Sequence, residues 1–341
     1  MHKDTMQAVV LEKNQEGASL FLREVPRKAP GAGEVAVSLR AAALNRRDVW
    51  IRLGRYAGIR LPTILGSDGA GVVSAVGPDV NPDLIGQEVV INPSLGFGEN
   101  QEAQAPDYRI LGMPDDGTYA ESVVVPAKNI VEKPAHLSFI EAAALPLAGL
   151  TAYRALCVRG QVRPGQTVLI PGIGSGVSTM ALLMARHVGA RVIVTSGHAD
   201  KLAKAQELGA AFGVSYRDED WADQIAGHLG GAKVDLVVDG AGQKAWENSL
   251  NLLRPGGRIV SYGATAGITQ VDLRKLFWKQ LNVLGTTMGS ERDFAEMVAL
   301  FSAGKLRPVI DEVFPLSEAA AAHVRMELGA HMGKLVLRIG A

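Results

Sequence analysis

The sequence predicts an α/β chain in two parts: a β-rich, barrel-like domain and a doubly wound parallel sheet. Three observations carry that expectation. Residues 6–130 hold short Val-, Ala- and Leu-rich runs with no long amphipathic helix among them. Beyond Pro134, strand-like and helix-like runs alternate. At roughly 150 residues per domain, a chain of 341 residues accommodates two.

In the first part, residues 6–11, 34–42, 71–76, 88–92 and 122–125 read as strands divided by Gly, Pro and Asn. The run 138–153 reads as a helix, with Ser138 as N-cap and Glu141 three residues on completing a capping box. Residues 167–170 are apolar and β-prone, and glycines then lead into a helix over 177–188. Residues 191–195 are the next strand and 200–208 the next helix. Further buried strands are expected at 234–238, 258–262 and 281–285. A helix over 292–303 and a strand over 334–339 close the chain, and their pattern suits either domain.

Composition excludes several classes. Lys plus Arg and Asp plus Glu are 35 each, so no cationic surplus serves a nucleic-acid backbone or an anionic lipid surface, and neither partner is expected. The single cysteine, Cys157, excludes an intrachain disulfide and a cysteine-cluster zinc site. No apolar stretch follows Met1-His2-Lys3-Asp4-Thr5, and the longest apolar run, 142–153, is too short for a bilayer; a cytoplasmic address is expected.

Residues Ile170-Pro171-Gly172-Ile173-Gly174-Ser175-Gly176-Val177 leave a strand and enter a helix. Glycine lets backbone approach an anion closely, and the amides at a helix N-terminus donate to it. Gly172, Gly174, Ser175, Gly176 and Val177 are therefore expected to cradle a dinucleotide's phosphates. The usual fingerprint has glycine where Val177 stands, and a plain tight turn is the alternative; the flanking strand and helix favour the dinucleotide. At the end of the second strand, Val194-Thr195-Ser196-Gly197-His198 lacks the acid that holds the ribose 2′-hydroxyl of NAD. Ser196, Lys201 and Tyr216 are expected around a 2′-phosphate instead, which predicts NADP(H). A solvent-facing lysine and a packed tyrosine are the alternatives. Gly240, Tyr262 and Gly263 complete the expected cofactor contacts.

Four stretches together resemble the medium-chain dehydrogenase/reductases over almost the whole length: Pro62 through Val73, Ala148-Gly149-Leu150-Thr151-Ala152-Tyr153, the turn from Gly172 to Ser178, and Leu253-Arg254-Pro255-Gly256-Gly257-Arg258. The resemblance implies a GroES-like substrate domain over 1–131 and 288–341 and a Rossmann domain over 132–287. It also implies a homodimer, in which the strand at 281–285 pairs with its copy; an inner strand is the alternative. The zinc-dependent branch holds catalytic zinc with Cys, His and Cys, where this chain has Asn45, Ser67 and Leu147. Its structural-zinc cysteines correspond to Phe97, Asn100 and Ala103. None of these six is a good zinc ligand, so no metal is expected. The pattern is more similar to the zinc-independent, quinone oxidoreductase-like branch, as in Ala43-Leu44-Asn45-Arg46-Arg47-Asp48 and Arg52-Leu53-Gly54-Arg55-Tyr56.

Three residues are expected to carry the chemistry. Asn45 has both donor and acceptor for a nicotinamide or a substrate carbonyl, with turn capping as its alternative. Tyr56 is a candidate proton donor, or else a loop aromatic. Thr151 matches a family threonine beside the nicotinamide, or else bonds a carbonyl one helical turn back. Lys334 matches a family lysine near the cofactor. Asp48 and Asp68 read as turn acceptors, and Arg46, Arg47 and Arg52 as a solvated face. The resulting expectation is zinc-independent, NADPH-dependent reduction of enones, quinones or related carbonyls. An alcohol or aldehyde dehydrogenase-like enzyme and a non-catalytic NADPH-binding protein, crystallin-like or a sensor, are the alternatives.

Overall fold

In the computed structural model, which describes residues 4–15, 17–267 and 269–340, one unit runs to Ala148 and resumes at Gly289. The other unit spans Gly149–Met288. The first contains β1 (Thr5–Asn14), β2 (Gly17–Pro26), β3 (Glu34–Ala43), α1 (Arg46–Arg52), β4 (Thr63–Ile64), β5 (Asp68–Val76), β6 (Glu88–Ile91), β7 (Ser94–Leu95), β8 (Arg109–Ile110), β9 (Ser122–Pro126), β10 (Ile130–Glu132) and α2 (Phe139–Ala143). The chain passes to the second unit through α3 (Pro146–Tyr153). The expected helix over 138–153 is thus two helices. Ser138 and Glu141 form the capping box, but Pro146 has no N–H to continue α2 and opens α3 instead.

The tail settles in the first unit. It contributes α9 (Glu291–Gly304), β17 (Ile310–Pro315), α10 (Ala319–Leu328) and β18 (Lys334–Arg338). β18 pairs antiparallel with β3, Val336 opposite Ala43, and so joins the path β10-β6-β5-β3-β18-β17. A three-stranded sheet, β2-β1-β4, shares one core with it through Leu11, Val37, Leu65, Tyr119 and Leu337. β2 escapes the sequence pattern because Leu20-Phe21-Leu22 and Arg23-Glu24 come in blocks with no alternation, and none of its residues is fully buried.

The second unit is a six-stranded parallel sheet in the order β13-β12-β11-β14-β15-β16. Its strands are β11 (Thr167–Ile170), β12 (Arg191–Ser196), β13 (Phe212–Ser215), β14 (Val234–Asp239), β15 (Leu253–Ser261) and β16 (Asn282–Gly285). The intervening helices are α4 (Gly176–Val188), α5 (Ala199–Glu207), α6 (Trp221–His228), α7 (Lys244–Leu252) and α8 (Leu273–Trp278). The chain builds outward from β11 and then returns to place β14 on its other side. Ligands of open α/β sheets bind at such a switch point, beyond the strands' carboxyl ends. The strand expected to be buried at 281–285 is instead the sheet's outer edge, with Val283 42% exposed. Among the described residues, no helix is long and apolar enough to cross a membrane.

His323, on α10, is buried edge-on against the Tyr119 ring, and neither of its nitrogens has a hydrogen-bond partner. Burial, assisted by Arg52, pushes its pKa down to about 3. The unfolded chain takes that proton below about pH 6.5, whereas the folded chain does not until about 3. Stability should therefore fall on acidification across this window, by at most about 1.4 kcal/mol per pH unit. Urea titrations at pH 7 and pH 5 should show a smaller loss for His323→Leu than for the wild type. An equal loss would remove His323 as the cause.

Candidate functional site

β3 ends at Ala43, and Asn45 enters α1 as its N-cap in extended backbone. The Asn45 main-chain N–H donates to Asp48 Oδ2 at 2.9 Å, and the Tyr119 hydroxyl donates to the same oxygen at 3.0 Å. Asp48 and Tyr119 are completely buried. Burial raises the Asp48 carboxyl above its usual range, while Arg47 and the Asn45 and Tyr119 donors pull it down.

The Asn45 side chain is held from the opposite direction. Lys334 Nζ donates to Asn45 Oδ1 at 2.7 Å, to the Leu44 carbonyl at 2.7 Å and to Asp68 Oδ2 at 2.8 Å. Asp68 Oδ1 accepts from the Leu147 N–H at 2.8 Å. An ammonium only donates, so it faces the amide oxygen and not the amide nitrogen. Asn45 Nδ2 is buried and has no hydrogen-bond partner. Asp68, expected as a turn acceptor, is therefore one half of a buried ion pair.

Arg47 is not on a solvated face. It is buried, with Nη1 donating to Ser67 Oγ at 2.9 Å and to the Leu111 carbonyl at 3.1 Å, and Nη2 donating to the Met113 carbonyl at 3.2 Å. Those acceptors compensate a desolvated guanidinium. The Tyr56 ring lies over Arg47, 5.3 Å from guanidinium carbon to ring centroid, and is partly exposed. Arg52 pairs with Glu327, and Thr151 is buried on α3.

In the second unit the glycine-rich turn follows β11 at the switch point. Gly172 N–H donates to Thr195 Oγ1 at 3.1 Å and Ile173 N–H to the Thr195 carbonyl at 2.7 Å, which ties the turn to β12. Ser178, where the family resemblance implies a further glycine, accepts from Gly174 N–H at 3.1 Å, and its own N–H donates to Ser175 Oγ at 3.1 Å. The serine tightens the turn by hydrogen bonding. The amides of Gly176 and Val177, in the first turn of α4, take no part in these bonds and are placed to meet an anion.

The remaining expected cofactor residues sort around this turn. A Cβ on Gly174 would stand 3.3 Å from Lys201 Nζ, so the lysine reaches back over the turn. One on Gly197 would meet the Tyr216 hydroxyl at 2.8 Å and Arg217 Nε at 2.9 Å. One on Gly240 would lie 2.3 Å from Tyr262 Cε2, and the Tyr262 side chain bonds that of Ser175. Burial and nearby Asp239 raise the Tyr262 phenol above its usual pKa. Ser196 is buried at the end of β12, its hydroxyl accepting from His198 N–H at 3.2 Å. Gly263 lines a cavity of about 390 Å³ with Gly242, Trp246 and Thr269. Arg217 escaped sequence reasoning because it follows Tyr216 in an irregular turn after β13, outside any motif.

A dinucleotide fits these residues: glycine backbone at the turn, first-turn amides, and two cations beside it. Zinc does not. Asn45 Oδ1 and Ser67 Oγ already accept from Lys334 and Arg47, and Leu147 has no donor atom in its side chain. Two buried cations bonded to the would-be ligands oppose a third. In the lobe, Phe97, at a position where the resemblance implies a structural-zinc cysteine, packs edge-on against Tyr108, centroids 5.8 Å apart. Among the described residues, no group of three His, Cys, Asp or Glu is placed to hold a metal.

The chain belongs to the medium-chain dehydrogenase/reductase superfamily and is an NAD(P)-dependent oxidoreductase. The alcohol dehydrogenase GroES-like domain family matches residues 31–135, and the zinc-binding dehydrogenase family matches residues 176–303. The chain is 36% identical to the zinc-type alcohol dehydrogenase-like protein YogA of Leptosphaeria maculans, over 94% of each chain. It is 32% identical to a quinone oxidoreductase of Pseudomonas aeruginosa, over 93% of this chain and 95% of that one. A solved NAD-dependent alcohol dehydrogenase superposes with a TM-score of 0.92 at 42% identity, covering 98% of this chain and all of the other.

The packing of Gly240 gives a direct test of the second unit. Gly240→Ala forces the Tyr262 ring off Ser175, because no real Cβ sits 2.3 Å from a ring carbon. Dinucleotide affinity, titrated by fluorescence quenching, should drop about tenfold while thermal unfolding stays cooperative. Unchanged affinity would remove Tyr262 from the cofactor's surroundings.

Proposed function

We propose that the protein is a zinc-independent, NADPH-dependent reductase of enones, quinones and related conjugated carbonyl compounds. Asn45 is the observation that carries this reading. Its Oδ1 is pinned by Lys334, while Nδ2 is a buried donor with no partner. A buried unpartnered donor costs about 1–3 kcal/mol, a penalty a bound carbonyl oxygen relieves. NADPH supplies the hydride when bound. Asn45 Nδ2 donates to the substrate's carbonyl oxygen and strengthens that bond as negative charge grows on it. Conjugation spreads the charge of an enolate or hydroquinone anion, so hydrogen-bond donors suffice for it. A simple alkoxide concentrates charge on one oxygen and calls for a Lewis acid. Tyr56, over Arg47 and open to water, is assigned as the proton relay, and Thr151 is assigned beside the nicotinamide ring.

NADPH rather than NADH follows from the end of β12, where Ser196-Gly197-His198 offers no carboxylate to a 2′-hydroxyl. Lys201 and Arg217 supply positive charge there, against Gly174 and Gly197 respectively. The 42%-identical solved structure is of an NAD-dependent enzyme, and that dependence belongs to that protein. Loss of one charged partner of a 2′-phosphate should cost about 1–3 kcal/mol, or tenfold to a hundredfold in affinity. In fluorescence titrations Arg217→Ala and Lys201→Ala should each narrow the NADPH-over-NADH ratio. Equal wild-type affinities would overturn the preference.

The chemistry is checked with untagged protein in chelator. It should reduce 2-cyclohexenone or a small quinone with NADPH and leave ethanol unoxidised. Tyr56→Phe should lower kcat and spare NADPH affinity. Brisk ethanol oxidation, or one zinc per chain by metal analysis, would favour the alcohol dehydrogenase reading that the relatives' names suggest.

A further inference from the structure

Asn45 makes a useful donor only if its amide nitrogen, and not its oxygen, faces the substrate. The two ends of a carboxamide have nearly the same shape, so a half-turn about the terminal bond exchanges donor for acceptor at little steric cost. We propose that Lys334, paired with Asp68, is the positioning residue that fixes this polarity and strengthens Nδ2 as a donor through its charge. The inference rests on the reading of Asn45 as the carbonyl donor.

Three features of the geometry carry it. First, Lys334 Nζ lies 2.7 Å from Asn45 Oδ1, and a flipped carboxamide would press two donors together at that distance. Both residues are buried, so water does not rescue the flipped state. Second, all three ammonium N–H groups are committed, to Asn45 Oδ1, the Leu44 carbonyl and Asp68 Oδ2. Lys334 keeps no donor for the cofactor contact expected from the sequence, and it acts through Asn45. Third, Asp68 balances the charge without competing for Nδ2. Its one oxygen takes Lys334 and its other takes the Leu147 N–H at 2.8 Å. A cation on the amide oxygen draws electron density from the nitrogen, which makes the Nδ2 hydrogens better donors in a low-dielectric surrounding.

β18 sets the reach of the lysine. Val336 pairs with Ala43 across the β3–β18 ladder, which brings Lys334, two residues earlier, level with the β3–α1 connection that holds Leu44 and Asn45. The alternative is a purely structural role, an ion pair that only fastens β18 to the sheet. It predicts stability losses but no dependence of turnover on the chemistry at position 334.

The experiment compares two double variants, each free of a lone buried ion, with NADPH and 2-cyclohexenone. Lys334→Met/Asp68→Asn deletes both charge and donor. Lys334→Gln/Asp68→Asn restores a neutral N–H donor toward Asn45 Oδ1. The methionine pair should lose about tenfold to a hundredfold in kcat, with NADPH Kd and enone KM within about twofold of wild type. The glutamine pair should recover at least fivefold of that loss and remain below wild type. The single variants Lys334→Gln and Lys334→Met should rank in the same order, which keeps the comparison intact if Asp68→Asn disturbs folding. Equal kcat for the methionine and glutamine variants, or wild-type kcat for both, overturns the proposal. Asn45→Asp separates the two levels of inference, since it pairs well with Lys334 but has no N–H. If Asn45→Asp stays active, the carbonyl-donor reading fails. If Asn45→Asp is inactive and Lys334→Met/Asp68→Asn is fully active, only the role of Lys334 fails.

Discussion

The Lys334–Asp68 ion pair is the constraint on which the substrate domain depends. Both residues are buried, 266 positions apart in sequence, and their charged atoms lie 2.8 Å apart. Removing two ions from water costs several kcal/mol each, and such a pair is tolerable only when its remaining hydrogen-bonding capacity is filled. Here the Leu44 carbonyl, the Asn45 side chain and the Leu147 N–H fill it. β18, β5, the β3–α1 connection and the first turn of α3 consequently meet at one point. A tail whose pattern suited either domain is committed to the first by that meeting and by the β3–β18 ladder.

Around this pair the positions that the family resemblance aligns with zinc ligands are engaged in hydrogen bonding and packing. At the positions where the resemblance implies zinc ligands, Ser67 serves Arg47, Asn45 serves Lys334, and the Leu147 main chain serves Asp68. In the lobe, Phe97 packs edge-on against Tyr108. Ser178 anchors Gly174 N–H through its hydroxyl. In each case the residue that stands in place of the implied ligand or glycine makes a satisfied contact. A bare deletion would have left buried polar groups unpaired, and natural interiors rarely tolerate those.

Asn45 keeps one buried polar atom unsatisfied, and it is on that atom that the proposed chemistry rests. Its main-chain N–H is held through Asp48 by Tyr119, and its oxygen by Lys334, yet its Nδ2 has no partner. Tyr119 is itself held in place by Gly66, whose Cβ would stand 2.4 Å from the ring. Support of both the main chain and the amide oxygen leaves Nδ2 fixed in place, which is what the proposed stabilisation of a growing oxyanion would use.

Much of this was legible in sequence. The βαβ alternation, the Ser138–Glu141 capping box, the glycine-rich turn and the missing acid after Val194 depend on residues close together in the chain, and local spacing carries them. Asn45 and the positions aligned with zinc ligands drew attention in sequence because such readings rest on residue type at a motif position. Other features depended on distant partners. Arg47 reads as a solvated arginine until the carbonyls of Leu111 and Met113 arrive from 64 and 66 residues away. The strand at Asn282–Gly285 looks apolar enough for a core, but its place in the strand order makes it an edge. Arg217 joins Tyr216 beside Gly197 only through the irregular turn after β13. The sequence by itself determined the fold class and the kind of chemistry available, because propensity, capping and motif spacing are short-range. Only the tertiary structure decided which charges are buried, who neutralises them and which end of Asn45 is left free, because desolvation and pairing are properties of residues brought together from opposite ends of the chain.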